Sequence, residues 1–347
     1  MSILEIVLYP FSVIYDFATS TRNYLFDIEK KKSFRFEANV ISVGNLSVGG
    51  TGKTPMIEYL IRLLGDQYKV TTLSRGYGRK TSGFRIAGKE DSSKTIGDEP
   101  YQFYNKFSDI KVTVGEQRAV AIPFILAELP DTDVILLDDA YQHRYVDPSL
   151  NILLTDYQKP FFRDMLLPSG RLRESRRGAK RADIIVVTKC PNGVDQNVIN
   201  DYTQQIRNYS KTAEIFFSSI EYDTPQPIYD KGQWQDEVLL FSGIANDDRL
   251  KEYVDKKYNL KEVIKFSDHQ AYGNAEVKKI KDTFEKILGT DHCILTTEKD
   301  MVKLIDNEID EELKALPIFY LPIRFRFLKD GKRFEEIVLN SIRTYSN

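Results

Sequence analysis

Apolar positions follow more than one rhythm along the chain. Near its start, residues 3–17 (ILEIVLYPFSVIYDF) hold only Glu5, Ser12 and Asp16 as strongly polar side chains. Their spacings of seven and four place all three on one narrow helical stripe and leave the rest of the surface apolar. The pattern predicts a helix kinked at Pro10, which removes a backbone donor. The segment is too short and too charged for a membrane span, which needs roughly 18 apolar residues. Two destinations stand level: a helix buried in the core, or one lying in a membrane surface. Arg22, Lys30, Lys31, Lys32 and Arg35 follow, placed to meet anionic headgroups, whereas the acidic stripe argues against a membrane.

Beyond Lys32 the rhythm changes. FRFEANVISVGNL reads as a buried strand running into a loop, MIEYLIRLL has helical periodicity, and YKVTTLSRGYG is strand followed by loop. DVILLDD, LNILLTD and ADIIVVTK are further short β-branched runs with polar ends. Strands alternating with helices predict an α/β fold with a parallel sheet and ligands at the strand C-terminal ends. AEIFFSSIEYDTPQPIYD then reads as an extended linker. VLLFSGI, EVIKF, CILTT and IFYLPIRFRF alternate with helical stretches to make a second, smaller α/β unit. The predicted limits are 1–35 for the N-terminal helix and its basic flank, 36–214 for the core, 215–235 for the linker and 236–347 for the smaller unit.

The 347 residues are 41 % hydrophobic and 29 % charged, which suits a globular protein with a real core. A net charge of −2 gives no basis for a nucleic-acid partner, so any anion site must come from local clustering. Cys190 and Cys293 form neither a disulfide framework nor a zinc pattern, and a reducing compartment fits them. The start has no signal-peptide pattern.

Chemistry enters at Ser47-Val48-Gly49-Gly50-Thr51-Gly52-Lys53-Thr54-Pro55, between a predicted strand and a predicted helix. Glycines let backbone N–H groups approach phosphate oxygens. Lys53 serves the β/γ-phosphates, the Thr54 hydroxyl serves Mg²⁺, and a helix N-terminus stands behind them. Ser47 replaces the usual first glycine. The chain therefore reads as a P-loop kinase using ATP and Mg²⁺. VILLDD delivers Asp138 and Asp139 from a strand end, where such proteins hold Mg²⁺, and Gln142 and His143 follow at once. Between them lies Ile96-Gly97-Asp98-Glu99-Pro100, where Asp98 is a candidate proton acceptor, although composition alone favours a helix N-cap. Arg171, Arg173, Arg176, Arg177, Lys180 and Arg181 put six bases in eleven residues, read as an anion site in preference to a solvated face.

VISVGNLSVGGTGKTP, TLSRGYGR, IGDEPYQF, VGEQR, LLDDAYQH, LPSGRLRE and FSDHQAYG stand in the order found in tetraacyldisaccharide 4′-kinases, which the chain resembles over roughly residues 1–300. The resemblance implies a P-loop core, a smaller α/β domain and a β-stranded linker. It implies phosphorylation of the 4′-hydroxyl of tetraacyldisaccharide 1-phosphate, a lipid A precursor. The expected setting is peripheral or monotopic at the cytoplasmic face of the bacterial inner membrane, with no nucleic acid or protein partner. By resemblance, Asp98 is the base, His269 tunes it across an interdomain cleft, and Lys53 completes the catalytic set. Val48 to Pro55 hold nucleotide, and Thr54, Asp138, Asp139 and Glu174 hold metal. The same resemblance implies that Arg75, Tyr77, Arg118, Gln142, His143, Arg171 and Arg173 bind substrate. The family usually reads DDGFQH where this chain has Ala140 and Tyr141, a change that matters if position 140 needs φ > 0. Two rivals are a partitioning-type membrane ATPase, whose Lys-Gly-Gly-x-x-Lys-Thr pattern is missed only at Val48, and a kinase for a soluble sugar.

Overall fold

The computed structural model describes residues 3–229, 231–268, 270–287, 292–305 and 311–343. In chain order its strands are β1 (Asn39–Asn45), β2 (Val70–Ser74), β3 (Arg85–Ile86), β4 (Lys111–Val114), β5 (Val134–Asp138), β6 (Leu150–Asp156), β7 (Ile184–Thr188), β8 (Glu214–Tyr222), β9 (Gln226–Pro227), β10 (Glu237–Ser242), β11 (Asn259–Lys265), β12 (His292–Thr297), β13 (Ile318–Leu321) and β14 (Ile323–Phe327). Nine of them form one sheet in the order β14-β8-β7-β6-β1-β5-β2-β4-β3, parallel from β8 to β4 and closed at each edge by an antiparallel strand. The other five form a second sheet, β11-β10-β12-β13-β9.

Every residue of β1 is buried, as an apolar run covered on both faces requires. β1 pairs with β5 on one side and β6 on the other. This is where the order of the parallel strands reverses, so the crevice beyond its C-terminal end is the expected ligand position. The helix that follows, Lys53–Leu64, turns Met56, Ile57, Leu60, Ile61 and Leu64 into the core.

The chain after Leu321 corrects the predicted limits. IFYLPIRFRF is not one strand of the smaller unit. Pro322 divides it, because proline cannot donate to a ladder. β13 stays in the second sheet, whereas β14 returns to pair with β8, for example Ile323 opposite Tyr222. The C-terminal helix Gly331–Asn340 then buries Phe334 and Val338 in the large core. Arg343 N–H donates to Asn39 Oδ1 at 2.8 Å, beside the start of β1. The predicted linker is likewise shared, with β8 in the first sheet and β9 in the second.

The N-terminal helix, Ile3–Asp27, runs through Pro10. It packs with its polar side inward. Ser12 is buried, donating to Leu166 O (3.0 Å) with its hydroxyl also 2.8 Å from that of Ser169, and Tyr15 Oη donates to Arg173 O at 2.9 Å. Asp27 receives Arg144 and Lys180, both at 2.8 Å. Ile6, Val7, Phe11, Val13, Ile14 and Phe17 are between 53 % and 75 % exposed. Burying such a side chain is worth about 1.5–3 kcal/mol, so on the order of 5 kcal/mol of apolar stabilisation is left unused. That overturns the core-helix alternative. No helix among the described residues is long and apolar enough to cross a membrane.

Candidate active site

The loop from Ser47 to Gly52 leaves the C-terminal end of β1 and opens the helix Lys53–Leu64. Gly49 (φ 100°) and Gly52 (φ 85°) take the left-handed conformations that glycine allows without a Cβ penalty, and Cβ atoms at Gly49 and Gly50 would meet nothing within 4 Å. No side chain caps the helix, so its first amides are left for a ligand. The loop is held from behind. Asn45 Nδ2 donates to Thr51 Oγ1 (2.7 Å), Thr188 Oγ1 to Thr51 O (2.8 Å), and Lys189 Nζ to Gly50 O. Val48 N–H donates to Arg171 O at 2.7 Å, so that amide serves the loop and not a phosphate. Pro55 has no amide hydrogen and is buried in the first turn. It starts the helix and does not bind nucleotide directly.

The β5 end brings two carboxylates with opposite characters. Asp139 stands 3.5 Å from Lys53 Nζ and accepts both arms of Arg173, at 2.7 and 3.0 Å. Burial raises its proton affinity, but Lys53 and Arg173 outweigh that and hold it well below the usual carboxylate range. Asp138 is buried, and burial together with neighbouring Asp139 pushes it up to about 7. Its Oδ1 is buried and has no hydrogen bond among the described residues. A carboxylate of this kind, at the end of the strand paired with the one that leads into the P-loop, fits a hard divalent cation once it is ionised. Mg²⁺ sites of this type use one or two carboxylates and phosphate oxygens in place of an all-protein cage. The left-handed residue is Asp139 (φ 48°), so Ala140 carries no strain from replacing glycine. Gly44 is the position that cannot change. A Cβ there would lie 2.7 Å from Tyr141 Cβ.

Several predicted site residues have other duties. Arg118 is 1 % exposed, and its guanidinium donates to Gly115 O and Asp138 O, both at 3.0 Å. It props the Asp138 backbone and cannot touch substrate. Glu174, expected at the metal, gives both oxygens to Arg181 (2.8 and 2.9 Å) and also accepts from Gln142 and Asn23. Its partners are the N-terminal helix and the arginine-rich segment. Within that segment Arg171 pairs with Asp164 (3.0 Å), Arg176 donates to Asp164 O, and Lys180 pairs with Asp27. The six bases are therefore mostly internal fasteners, and Arg173 alone of them reaches the Asp139 cluster. Gln142 donates to Asn45 O at 2.8 Å. His143 is pulled down to about 4 by burial and by Arg118 and Arg75. Arg75 and Tyr77 are exposed on the loop after β2.

Asp98 is the first residue of the helix Asp98–Lys106, whose N-cap is Gly97 (φ 95°), so the N-cap expectation for Asp98 fails. A Cβ at Gly97 would come within 3.1 Å of Gly76, which docks the Arg75–Tyr77 loop against this turn. Asp98 Oδ2 lies 3.8 Å from Lys303 Nζ, on the helix Glu298–Leu304. Lys299 of that helix lies 4.0 Å from Glu99 and 3.3 Å from Asp268. His269 lies outside the described residues. Lysines 299 and 303 escaped sequence reasoning because no motif marks them. Asn45 and Lys189 lie inside the runs VISVGNLSVGGTGKTP and ADIIVVTK, which gave no sign of their part in holding the loop.

A family model for tetraacyldisaccharide-1-P 4′-kinase matches residues 4–343. The chain is 42 % identical to the tetraacyldisaccharide 4′-kinase of Flavobacterium psychrophilum, covering 99 % of this chain and 98 % of the relative. It is 41 % identical to that of Bacteroides fragilis, covering 97 % and 93 %. The crystal structure of the "apo" form of LpxK from Aquifex aeolicus in complex with ATP superposes with a TM-score of 0.77 at 28 % identity, over 98 % of this chain and 100 % of that one. The chain belongs to the tetraacyldisaccharide-1-P 4′-kinase family.

Proposed function

We infer that this protein transfers the γ-phosphoryl group of ATP to the 4′-hydroxyl of tetraacyldisaccharide 1-phosphate. The observation that carries this reading is the Lys53–Asp139–Arg173 cluster on an uncapped P-loop helix, in a chain matched end to end by kinases of that name. The glycine-rich loop and Lys53 take the β- and γ-phosphates, and Arg173 adds positive charge beside them. Mg²⁺, held by Asp138 and Thr54 when bound, would neutralise charge on the phosphate oxygens. Asp98 accepts the proton of the 4′-hydroxyl as the new O–P bond forms and the bond to the leaving ADP oxygen breaks.

The lipid is reached from a membrane surface. The exposed apolar face of the N-terminal helix lies in the headgroup boundary, and the basic flank at Lys30, Lys31, Lys32 and Arg35 meets anionic lipid. The inner leaflet of the bacterial inner membrane, facing the cytoplasm, is the setting this reading assigns.

Two measurements test it. ATP consumption should need the lipid disaccharide in detergent, with the product phosphorylated at the 4′ position. Equal ATP turnover without lipid would return the protein to the partitioning-ATPase class. The Ile14→Ser, Phe17→Ser double variant should keep its melting temperature and lose binding to anionic vesicles by roughly tenfold or more. Undiminished vesicle binding by the folded variant would refute the surface anchor.

A further inference from the structure

We propose that Lys303 is a positioning residue for Asp98, a role that rests on Asp98 being the proton acceptor. Lys303 is only 8 % exposed, and its Nζ makes no hydrogen bond among the described residues. Two carboxylate oxygens stand near it: Asp300 Oδ1 at 3.6 Å on its own helix, and Asp98 Oδ2 at 3.8 Å on the helix of the other sheet. The ammonium also lies 5.8 Å from the centre of the Tyr272 ring.

Asp300 is fixed. It is fully buried, and its Oδ2 accepts from Gly243 N–H at 2.9 Å and Thr297 Oγ1 at 2.7 Å. A buried ammonium needs compensating charge, and Asp300 anchors it within the smaller unit. The cation is thereby presented across the boundary to a carboxylate whose backbone is itself constrained at Gly97. Other contacts already hold the two units together: Lys106 bridges Glu58 and Glu298, and Arg249 donates to Lys189 O. Lys303 differs from these in ending on the candidate base. A general base works only if held within a few tenths of an ångström of its productive position. The charge at Lys303 supplies that restraint, and it does so only while the smaller unit is docked.

The test uses Lys303→Met and Lys303→Arg in the full chain, each alone and combined with Asp98→Asn, with kcat, both KM values and melting temperature recorded. Lys303→Met should lower kcat about 10- to 100-fold, leave KM for ATP within about twofold, and keep the fold. Lys303→Arg, which retains the charge, should recover most of kcat. In the Asp98→Asn background Lys303→Met should cost nothing further, because residues acting as one unit are non-additive. Unchanged kcat in Lys303→Met, or a fully additive loss in the double variant, overturns the positioning role while leaving Asp98 in place. Wild-type turnover by Asp98→Asn removes the base assignment itself. Should Lys303→Met not fold, Lys303→Gln carries the same expectations.

Discussion

Two carboxylate–cation pairs, at Asp139 and at Asp98, are built differently. Asp139 meets Lys53, at the start of the P-loop helix, and a bidentate Arg173, all within the unit built on the large sheet, at distances from 2.7 to 3.5 Å. Asp98 meets Lys303 at 3.8 Å, across a boundary between two sheets. The first pair is fixed wherever the large sheet is folded. The second exists only while the smaller unit sits against the helix Asp98–Lys106. On the roles proposed above, phosphate binding is preorganised within one unit, and proton transfer is conditional on the placement of two.

The largest expected effect falls on the preorganised side. Lys53→Ala removes the cation aimed at the β/γ-phosphates, in a reaction that depends on charge stabilisation. Turnover should fall by at least roughly two orders of magnitude. The variant should fold normally, since Lys53 lies at an uncapped helix start. A variant with near-normal kcat would remove the P-loop from the mechanism and erase the contrast.

Next comes the boundary. Lys106 lies between Glu58, 1 % exposed on the P-loop helix, and Glu298, 4 % exposed on the helix that carries Lys303. Burial and the nearby Glu58 already push the Glu298 carboxyl up. Lys106→Met leaves two buried carboxylates facing each other, which should cost about 3 kcal/mol in urea unfolding. Because Glu58 belongs to the P-loop helix, the variant also tests whether the two regions are energetically separate. A loss below about 0.5 kcal/mol would mean that the units do not depend on this contact.

The sequence made one region far more legible than the other. The P-loop is contiguous, so its glycines, Lys53 and Thr54 announce the chemistry together, and an apolar strand ending in Asp138 and Asp139 does the same. The arginine-rich segment looked like an anion site because its partners are remote. Asp27 and Asn23 reach it only after the N-terminal helix docks. Glu174 was misplaced for the same reason. IFYLPIRFRF looked like one strand because hydrophobic pattern does not say which of two sheets receives each half. The N-terminal helix was ambiguous because its stripe carries both polar side chains and charge, and only packing shows that Ser12 faces inward. Lys303 was invisible: a lysine on a short helix has no sequence mark of a distant aspartate.

The smallest expected effect measures the field at the preorganised end. His143 is pulled down to about 4, first by burial and then by Arg118 and Arg75, from an ordinary value of 6.5. Between those two pH values the unfolded chain binds a proton at this residue and the native chain does not. Stability at this site is therefore complete above about pH 6.5 and is lost as the pH falls towards 4. Between pH 7 and pH 4.5 the loss should be about 2 kcal/mol. His143→Gln has no proton to take up, so urea unfolding at pH 7 and pH 4.5 should show a smaller acid loss in the variant than in the wild type. Other carboxylates titrate over the same range in both proteins and cancel in the comparison. If both lose equal stability, neither burial nor Arg118 and Arg75 disfavour the imidazolium at His143 in the native chain. If the variant loses less, burial first and the two arginines second keep His143 neutral in the loop after β5.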